Sequence, residues 1–412
     1  MDFDDTVEEA AFRAKARAFL DANSERREAG VAAIYRAGTE NAEFRAKAKA
    51  WQAKKADAGY AAITWPKEWS GQGGSAIQQV IYDQEEAKYA IPRGIFEIGL
   101  GMCIPTLCTW GTQAHRDRYV KKALRGEEIW CQLFSEPAAG SDLAGLRTRA
   151  ERDGDDWVIN GQKIWTSGAQ FCDFGVLVTR TDFAAPKHKG LTYFFLDMKS
   201  PGVEIRPIKQ ISGASHFNEV FFTDVRIPDS QRLGAVGEGW KVSLTTLMNE
   251  RYTIGGRAGV DVDDVIELAR NVELEDGPAL SNPVIRDKLA DWYVMSRGLK
   301  YSHFRTMTAL SRGETPGPQS SIGKLVTAAK LQNMSALAMD LLEQGGVITD
   351  PEYAPMAALF QTTLMTSPSA RIAGGSDEIL RNIIAERVLG LPPDIRVDKD
   401  VPFNQLPTGK KK

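Results

Sequence analysis

The chain has 412 residues, with 51 Lys and Arg against 54 Asp and Glu, and a formal net charge of −3 at pH 7. This weakly acidic total lacks the positive excess that is typical of nucleic-acid-binding proteins. Hydrophobic residues make up 43% of the chain and charged residues 25%, which excludes a disordered or fibrous protein. The length predicts about two to four domains, or one large unit with several lobes.

The four cysteines include no Cys-x-x-Cys pair, and the four histidines stand apart from one another in the sequence. So few cysteines in a chain of this length do not form a disulfide framework, and a reducing compartment is expected. Neither residue type has the spacing of a zinc site. We therefore predict no metal centre, and a catalysis that does not depend on a thiolate or a histidine relay.

The segment Met1–Asp5 is acidic and lacks the basic and apolar regions of a signal peptide. No segment reaches the roughly 18–20 consecutive apolar residues that a membrane span needs. We predict a cytoplasmic protein that does not act in a membrane, and we interpret Lys410–Lys412 as a solvated tail.

Residues 1–125 are predicted to form a helical domain. Apolar side chains in residues 7–22 recur at helical spacing, with charged residues between them. The same pattern predicts helices over 47–58, 76–89 and 113–125, whereas one proline and three glycines predict a loop over 64–74.

Residues 126–236 are predicted to form a compact β-domain, either a sheet or a barrel-like fold. Asn160-Gly161 stands between two β-rich runs, and this dipeptide is the strongest short-range signal of a hairpin. Further short strands are predicted over 175–179, 191–197, 203–208 and 218–225.

Residues 237–395 return to the helical period, and residues 396–412 are predicted to be a polar tail. The order helices, strands, helices predicts the α+β class. It excludes a doubly wound parallel sheet and a TIM barrel, because strands and helices alternate in both. The predicted helices cover 261–273, 283–312, 319–345, 352–365 and 376–388.

The first candidate site is the segment Ser135–Asp142, in which small residues follow a proline and two serines flank the turn. Backbone amides in such a turn can bind an anion or the polar edge of a ring. A surface turn that joins a helix to the sheet would show the same pattern, so both interpretations stay open on these residues.

The second candidate site is the segment Gln162–Gly168, in which Trp165 is followed by two hydroxyl side chains. An indole face beside hydrogen-bonding groups suits a planar heterocycle, which needs both. The alternative is that Trp165 belongs to the core of the sheet, as most strand tryptophans do.

The third candidate is Glu250, in the sequence Asn249-Glu250-Arg251 within an apolar helix. Leu247 and Ile254 lie three residues before and four residues after it, so the three side chains share one face. A carboxylate on an apolar face is a better base than a solvated one. The alternative is a partly exposed carboxylate that pairs with a neighbouring arginine.

Taken together and in order, these segments resemble the acyl-CoA dehydrogenase family, in its bacterial fatty-acid- and steroid-degrading branch. The resemblance covers about residues 10–393. The family fold has an N-terminal helical domain, a central β-domain and a C-terminal four-helix bundle, which agrees with the predicted order. The matching motifs are Trp65–Glu68, Ser135–Asp142, Asn160–Trp165, His216–Phe222, Gly239-Trp240, Asn249–Arg251, Gly375–Ile379 and Ile384–Arg387.

The resemblance implies FAD as the cofactor and an acyl-CoA thioester as the substrate. In the family, a base removes the α-proton while the flavin N5 takes a hydride from the β-carbon, and the product is a trans-2-enoyl-CoA. Electrons then pass to an electron-transfer flavoprotein. Family members are typically homodimers or homotetramers.

The resemblance also assigns roles to single residues. Ser141 and Arg251 correspond to positions that contact the CoA substrate. The positions that correspond to cofactor contacts are Gln132, Phe134, Ser135, Gly140, Ser141, Trp165, Ser167, Gly375, Ser376 and Glu378.

Many family members carry the catalytic base near the C-terminus, at the position of Gly374, and glycine cannot transfer a proton. A subset, which includes the isovaleryl- and long-chain enzymes, carries a glutamate on the first helix of the C-terminal domain instead. Glu250 matches that position. The resemblance therefore implies that Glu250 is the catalytic base.

Two features depart from the family pattern. The segment Arg270–Pro278 lacks the Arg-x-x-Phe-Gly motif, whose arginine reaches the FAD of a partner subunit, and Leu342 stands where a glutamine is usual. Some bacterial relatives with these losses assemble as heteromers, in which one subunit completes the flavin site of the other. The alternatives are therefore a non-catalytic or half-site subunit of a heteromeric dehydrogenase, and an acyl-CoA oxidase on the same fold.

Overall fold

A computed structural model describes residues 5–27, 38–254, 260–311, 317–395, 398 and 400–406. Within helices, the side chains of residues 251–254, 307, 310, 311 and 320 lie outside this description. No helix in the described ranges is both long and apolar enough to cross a membrane.

The helices and strands follow the predicted order, and the α+β class is confirmed. The helices are α1 (Val7–Asn23), α2 (Ala42–Asp57), α3 (Ala76–Glu86), α4 (Ile104–Trp110), α5 (Gln113–Leu124), α6 (Gly239–Ile254), α7 (Val262–Asn271), α8 (Pro283–Ser311), α9 (Ser320–Leu342), α10 (Leu359–Ala370) and α11 (Asp377–Arg387). The strands are β1 (Trp130–Leu133), β2 (Arg149–Asp153), β3 (Asp156–Ser167), β4 (Phe174–Arg180), β5 (Leu191–Asp197), β6 (Val203–Ile208), β7 (Phe217–Pro228), β8 (Arg232–Leu233), β9 (Glu273–Leu274) and β10 (Gly277–Pro278).

The internal contacts of the chain divide it into two units. Helix α6, which carries Glu250, belongs to the second unit. The first unit consists of Met1–Tyr35, Gly73–Ile91 and Gly255–Pro393, and the second of Arg36–Gln72, Pro92–Ile254 and Asp394–Lys412.

The first unit is helical. Helix α9 packs against α8, α10 and α11, which confirms the predicted four-helix bundle, and α7 packs against α8 and α9. Buried apolar side chains of these helices form one core, which includes Val265, Leu289, Met334 and Phe360. Helix α10 begins later than predicted, because residues 356–358 have left-handed backbone angles, which a right-handed α-helix cannot include.

The second unit contains an eight-stranded sheet with the order β6-β7-β3-β2-β4-β5-β8, and β1 pairs in parallel with β4. In the described residues β6 and β8 lie at opposite ends of this order, so the domain is an open sheet and not a barrel. Strands β4 and β5 are buried over nearly their whole length, and helix α6 packs against both.

The predicted hairpin at Asn160-Gly161 is wrong. Strand β3 runs through both residues, and its pairing with β7 shifts register between Ile159 and Gly161, as in a β-bulge. The hairpin turn lies earlier, at Gly154, between the paired residues Asp153 and Asp156. Both the bulge and the turn contain a glycine with a positive φ angle. Because glycine is favoured in both, Asn160-Gly161 is predicted as a turn although it forms a bulge.

All four cysteines are free and buried. Burial raises the pKa of the Cys108 thiol to about 12, and it raises the pKa of Cys103 and Cys172 well above the ordinary value. These thiols pack as small apolar groups.

Candidate active site

Strand β1 and the end of β3 bring together two of the predicted cofactor-binding segments. The amide of Ile164 donates a 2.9 Å hydrogen bond to the carbonyl of Ser135. Gln132 and Ser135 are half-buried, and Phe134 is buried. The segment that ends at Ser135 therefore lies beside the segment that contains Trp165.

A buried ion pair between Lys163 and Glu136 joins these two segments. Lys163 Nζ donates to Glu136 Oε1 at 2.8 Å and to the carbonyl of Phe134 at 3.0 Å. The Glu136 carboxylate also accepts from the amides of Arg147 at 2.6 Å and Thr148 at 2.9 Å. Burial would raise the pKa of Glu136, but Lys163 and these donors outweigh it and lower the pKa. Burial lowers the pKa of Lys163.

Trp165 has a left-handed backbone, with a φ angle of 61°, at a register shift between Lys163 and Thr166. A non-glycine residue in this region stores about 1–3 kcal/mol of strain, which is found most often at functional sites. The indole is 55% exposed and packs edge-to-face on Phe217, with ring centroids 6.1 Å apart. Trp165 is therefore not a core residue, and the bulge presents its ring on the surface of the second unit.

Ser167 ends β3 and is half-buried. The amide of Gly168 donates a 2.8 Å hydrogen bond to the carbonyl of His216. Ser167, Gly168 and His216 line a small recess together with Phe171 and Cys172. Ser167, two residues after Trp165, therefore lines a partly apolar recess.

The turn at Gly140 and Ser141 is exposed. Glu136 and Ala139 exchange two 3.0 Å backbone hydrogen bonds just before it. A Cβ atom added to Gly140 would meet no heavy atom of the described chain within 4 Å. Asp142, directly after Ser141, accepts a 3.0 Å hydrogen bond from Lys187. The turn is thus accessible to a ligand, and the Asp142–Lys187 hydrogen bond holds its C-terminal end.

Glu250 lies on α6, one turn after Thr246 and two turns after Val242. Val242 and Thr246 are fully buried, and Glu250 is half-buried. The Thr246 hydroxyl lies 2.9 Å from the hydroxyl of Thr106 on α4 and 2.9 Å from the hydroxyl of Tyr193 on β5. These contacts hold α6 in place. Glu250 therefore lies at the end of the buried face of this helix, where the side chains become partly exposed.

The residues of the C-terminal motif lie in the first unit. Ser376 is the N-cap of α11, and its hydroxyl accepts a hydrogen bond from the amide of Ile379 at 3.4 Å. The carbonyl of Gly375 accepts a 2.5 Å hydrogen bond from Lys324. Glu378 is exposed in the first turn of α11, where hydrogen bonds from its own amide and from Ser376 lower its pKa.

Arg251 is a predicted substrate contact, and Arg270 begins the segment that lacks the family's Arg-x-x-Phe-Gly motif. Arg251 lies in α6, but its side chain is outside the described residues. Arg270, at the end of α7, forms an exposed 3.2 Å ion pair with Glu267 in the same helix. Residues 273–278 after it form the small β9–β10 hairpin in place of the missing motif.

The chain is 38% identical over 390 residues to the acyl-CoA dehydrogenase IpdE1 of Mycobacterium tuberculosis, and the match covers 93% of this chain and 98% of that protein. This chain belongs to the acyl-CoA dehydrogenase family. The N-terminal, middle and C-terminal domain models of the acyl-CoA dehydrogenases match residues 6–127, 131–225 and 237–389.

Another relative of this acyl-CoA dehydrogenase is FadE34 of the same organism, which is 39% identical over 343 residues. That match covers 83% of this chain but 46% of FadE34, so the chain spans about half the length of that relative.

Two solved structures resemble this dehydrogenase over nearly its whole length. One is named "Tcur3481-Tcur3483 steroid ACAD", with 28% identity, a TM-score of 0.78 and coverage of 96% of this chain and 100% of that chain. The other is the ChsE4-ChsE5 complex from Mycobacterium tuberculosis, with 25% identity, a TM-score of 0.76 and coverage of 96% and 100%.

The structure gives contacts to three charged residues that the sequence analysis assigns no role, although Glu136 and Lys163 lie within the first two candidate segments. Lys163, Glu136 and Arg180 are charged, yet their side chains are buried in the second unit. Their burial is hard to predict for two reasons. A charged residue inside a strand usually indicates a solvent-exposed face, and the partners of these residues lie far away in the sequence. The one sign of their burial in the sequence is that Lys163 and Arg180 each stand within a run of β-forming residues.

Proposed function

We propose that this dehydrogenase converts an acyl-CoA thioester to a trans-2-enoyl-CoA in a FAD-dependent reaction, with Glu250 as the base. Membership of the acyl-CoA dehydrogenase family supports the reaction class. The observation that carries the proposal is the placement of Glu250 at the end of the buried Val242–Thr246 stripe, half-buried on a helix fixed by three hydroxyl groups.

In the proposed step, a carboxylate oxygen of Glu250 takes the α-proton of the thioester. The electron pair of that C–H bond forms the Cα=Cβ double bond as the β-hydrogen leaves with its own electron pair. FAD, when bound, supplies the acceptor of that hydrogen and electron pair. A base held on a fixed helix and partly out of water needs little reorganisation before it reacts. Gly374, at the alternative position, offers no proton acceptor.

The residues of the second unit fit FAD in two respects. Trp165 presents a flat, exposed indole beside Ser167, as a planar ring system requires. The turn at Gly140 and Ser141 is exposed, and no described atom occupies the space that a Cβ of Gly140 would take, so a phosphate group can approach the backbone. Gln132, Phe134 and Ser135 would hold the ring edge beside Trp165. Gly375, Ser376 and Glu378, which lie in the first unit, are proposed as cofactor contacts on the family resemblance alone.

The cofactor assignment is tested by adding FAD to apoprotein and following flavin fluorescence. We expect Trp165→Ala to weaken FAD binding, and Trp165→Phe to retain most of it because a flat ring remains. Gly140→Ala leaves the fold unstrained, so a loss of FAD binding in this variant would report direct contact with the turn. Unchanged FAD affinity in both Trp165→Ala and Gly140→Ala would contradict the assignment.

The catalytic assignment is tested with Glu250→Gln. We expect a variant that retains FAD but loses several orders of magnitude in turnover, because the amide cannot accept the α-proton. Glu238→Gln is the matched control, since Glu238 lies immediately before the same helix with its side chain 42% exposed. Near-normal turnover of Glu250→Gln would show that another group is the base.

The substrate is proposed only as an acyl-CoA thioester, which Ser141 and Arg251 would contact. One structural relative is named a steroid ACAD. A panel of straight-chain, branched and steroid-side-chain CoA thioesters, assayed with an artificial electron acceptor, would identify the acyl group. The thioester with the highest kcat/KM then defines the substrate class.

We propose an electron-transfer flavoprotein as the electron acceptor, in the cytoplasm, and an assembly of two or four copies of this chain. The ChsE4-ChsE5 complex supports a heteromer as the second candidate, as does the missing Arg-x-x-Phe-Gly motif. Protein expressed alone that lacks flavin absorbance, yet gains it with a homologous partner, would favour the heteromer. Hydrogen peroxide formed in air would favour an oxidase.

We retain the predicted domain bounds as part of this proposal: residues 1–125, 126–236 and 237–395, followed by 396–412. Limited proteolysis with mass mapping tests them. Cleavage that falls at about residues 126 and 237 is expected, because linkers between domains are the most accessible backbone.

A further inference from the structure

A C-terminal segment, residues 398 and 400–406, packs against the second unit, and we call it the C-terminal strap. The amide of Phe403 donates to the carbonyl of Ala185 at 3.0 Å, and the amide of Asn404 donates to the carbonyl of Phe183 at 2.9 Å. Phe403 is 3% exposed. This part of the predicted polar tail is therefore docked onto the domain that carries the candidate cofactor turn.

Phe403 covers the buried guanidinium of Arg180. The Arg180 Cζ atom lies 3.5 Å from the centroid of the Phe403 ring, in the geometry of a cation–π contact. Arg180 donates to the carbonyl of Ala144 at 2.6 Å and to the carbonyl of Leu146 at 3.0 Å. Burial lowers the pKa of Arg180 to about 10, which leaves it charged at neutral pH. The Phe403 ring thus shields the Arg180 guanidinium from water, and this guanidinium binds the backbone that follows the Ser141–Asp142 turn.

Lys187 provides a second link. Its ammonium group donates to Asp142 at 3.0 Å and also pairs with Asp398 of the strap. The Lys187 side chain is 9% exposed. Burial would lower the pKa of Lys187, but the hydrogen bonds to Asp398 and Asp142 outweigh it and raise the pKa. The strap is therefore tied through one buried lysine to the residue that follows Ser141.

We propose that the C-terminal strap positions the Ser141–Asp142 turn for a phosphate group, with Asp398 and Phe403 as positioning residues. This inference rests on the proposed function, in which Ser141 contacts a phosphate of FAD or of CoA. The turn is exposed and would otherwise lose conformational freedom on binding. The link through Lys187 holds Asp142 in place, and the link through Arg180 holds the carbonyls of Ala144 and Leu146. The turn therefore loses less conformational entropy when a phosphate group binds.

The first test is Asp398→Asn, which removes the charge of the strap's link to Lys187 while it preserves the shape of the side chain. Asp400→Asn is the matched control, because Asp400 is an exposed aspartate of the same strap. FAD affinity is measured on apoprotein by flavin fluorescence, and the affinity for free coenzyme A is measured on flavin-loaded protein by calorimetry. Neither readout requires turnover.

We expect Asp398→Asn to weaken one of the two affinities by about fivefold or more, and Asp400→Asn to change both by less than about twofold. Weakened FAD binding would identify the flavin as the source of the phosphate, and weakened CoA binding would identify the substrate. Unchanged affinities for both ligands in Asp398→Asn would overturn the inference.

The second test is Phe403→Leu, which fills the buried site with an apolar side chain but removes the aromatic face over Arg180. We expect the same ligand to bind more weakly, by about threefold or more, together with a modest fall in the thermal midpoint from the lost ring contacts. A midpoint that falls while both affinities stay unchanged would show that the strap is a purely structural element.

The two proposals fail in different ways. If the unaltered protein, with its partner subunit where one is required, binds neither FAD nor coenzyme A, the proposed function is wrong. If it binds both and the strap variants bind them equally well, the strap inference is wrong and the proposed function stands.

Discussion

The hydroxyl of Tyr193 on strand β5 lies 2.9 Å from the hydroxyl of Thr246 on helix α6, and both side chains are fully buried. Thr106 on α4 completes this network at 2.9 Å from the same threonine. Thr246 precedes Glu250 by one helical turn. The network therefore connects the sheet and α4 to the helix that carries the proposed base, through short polar contacts in an apolar core.

Removal of the Tyr193 hydroxyl should destabilise the protein and disturb the proposed base. Tyr193→Phe leaves Thr246 with fewer buried partners, and we expect a loss of about 1–2 kcal/mol in the free energy of unfolding. Urea denaturation measures the loss. Thr246→Ser should remain close to the unaltered protein because it retains the hydroxyl, whereas Thr246→Val should resemble Tyr193→Phe. Equal stability of all three variants would exclude an energetic role for the network.

The buried pair of Lys163 and Glu136 should show strong energetic coupling. Glu136→Gln leaves a buried ammonium group without its counter-charge, and we expect a loss of about 3–5 kcal/mol. The double variant Lys163→Met with Glu136→Gln should lose much less than the sum of the single variants, because no buried charge remains. A double-mutant cycle in urea provides the measurement, and additive losses would argue against the pairing.

Gly161 in the β3 bulge and Gly154 in the β2–β3 turn form a matched pair of glycines, whose replacement by alanine tests the geometry of the bulge. A Cβ at Gly161, where φ is 150°, would lie 2.6 Å from Oγ1 and 2.7 Å from Cα of Thr148. A Cβ at Gly154, where φ is 64°, would meet no described atom within 4 Å. We expect Gly154→Ala to cost about 1 kcal/mol and Gly161→Ala about 3 kcal/mol or more, measured by thermal denaturation. Similar costs for both would contradict the bulge geometry.

Glu85 should make the first unit sensitive to acid. Its side chain is 1% exposed and pairs with Arg13, Arg17 and Lys88 at 2.7–3.1 Å. Burial would raise the pKa of Glu85, but hydrogen bonds from Arg17, Lys88 and Arg13 outweigh it and lower the pKa to about 2, from 4.5. Stabilisation from these contacts is therefore complete above about pH 4.5 and is lost as the pH falls towards 2.

Comparison of the unaltered protein with Glu85→Gln tests this dependence. We expect a difference of about 2 kcal/mol in the free energy of unfolding at pH 7, reduced by the exposure of Arg17 and Lys88, and a smaller difference as the pH falls towards 2. Glu43→Gln is the control, since Glu43 forms an exposed, solvent-screened pair with Lys47 and should show a much weaker dependence. A difference that stays constant with pH would refute the assignment.

Periodicity predicts most of the fold. Helices α1, α7, α8 and α11 begin and end within two residues of the predicted bounds, because charged and apolar residues alternate clearly along them. Helix α4 and the π-helical turn before it, Gly99–Cys103, were not among the predicted helices. Their sequence is almost continuously apolar, and a buried run has no polar face from which the period can be read.

The candidate site is predicted where a local motif marks it and missed where the partners are distant. Ser135 and Trp165 each stand in a recognisable segment, and the structure brings those segments together. The contact that joins these segments pairs Glu136 with Lys163, and the contact beside the Ser141–Asp142 turn pairs Arg180 with Phe403; the partners are separated by 27 and 223 residues. Only the folded chain places such charges side by side, so composition and spacing give little sign of them.

The four shielded sulfhydryl groups have a practical consequence. Maleimides and related reagents attack accessible thiolates, and burial together with a raised pKa protects Cys103, Cys108 and Cys172 from them. A single cysteine introduced at the exposed position Val347 would therefore react selectively. Fluorescent dyes or spin labels could be attached there with the native cysteines left in place.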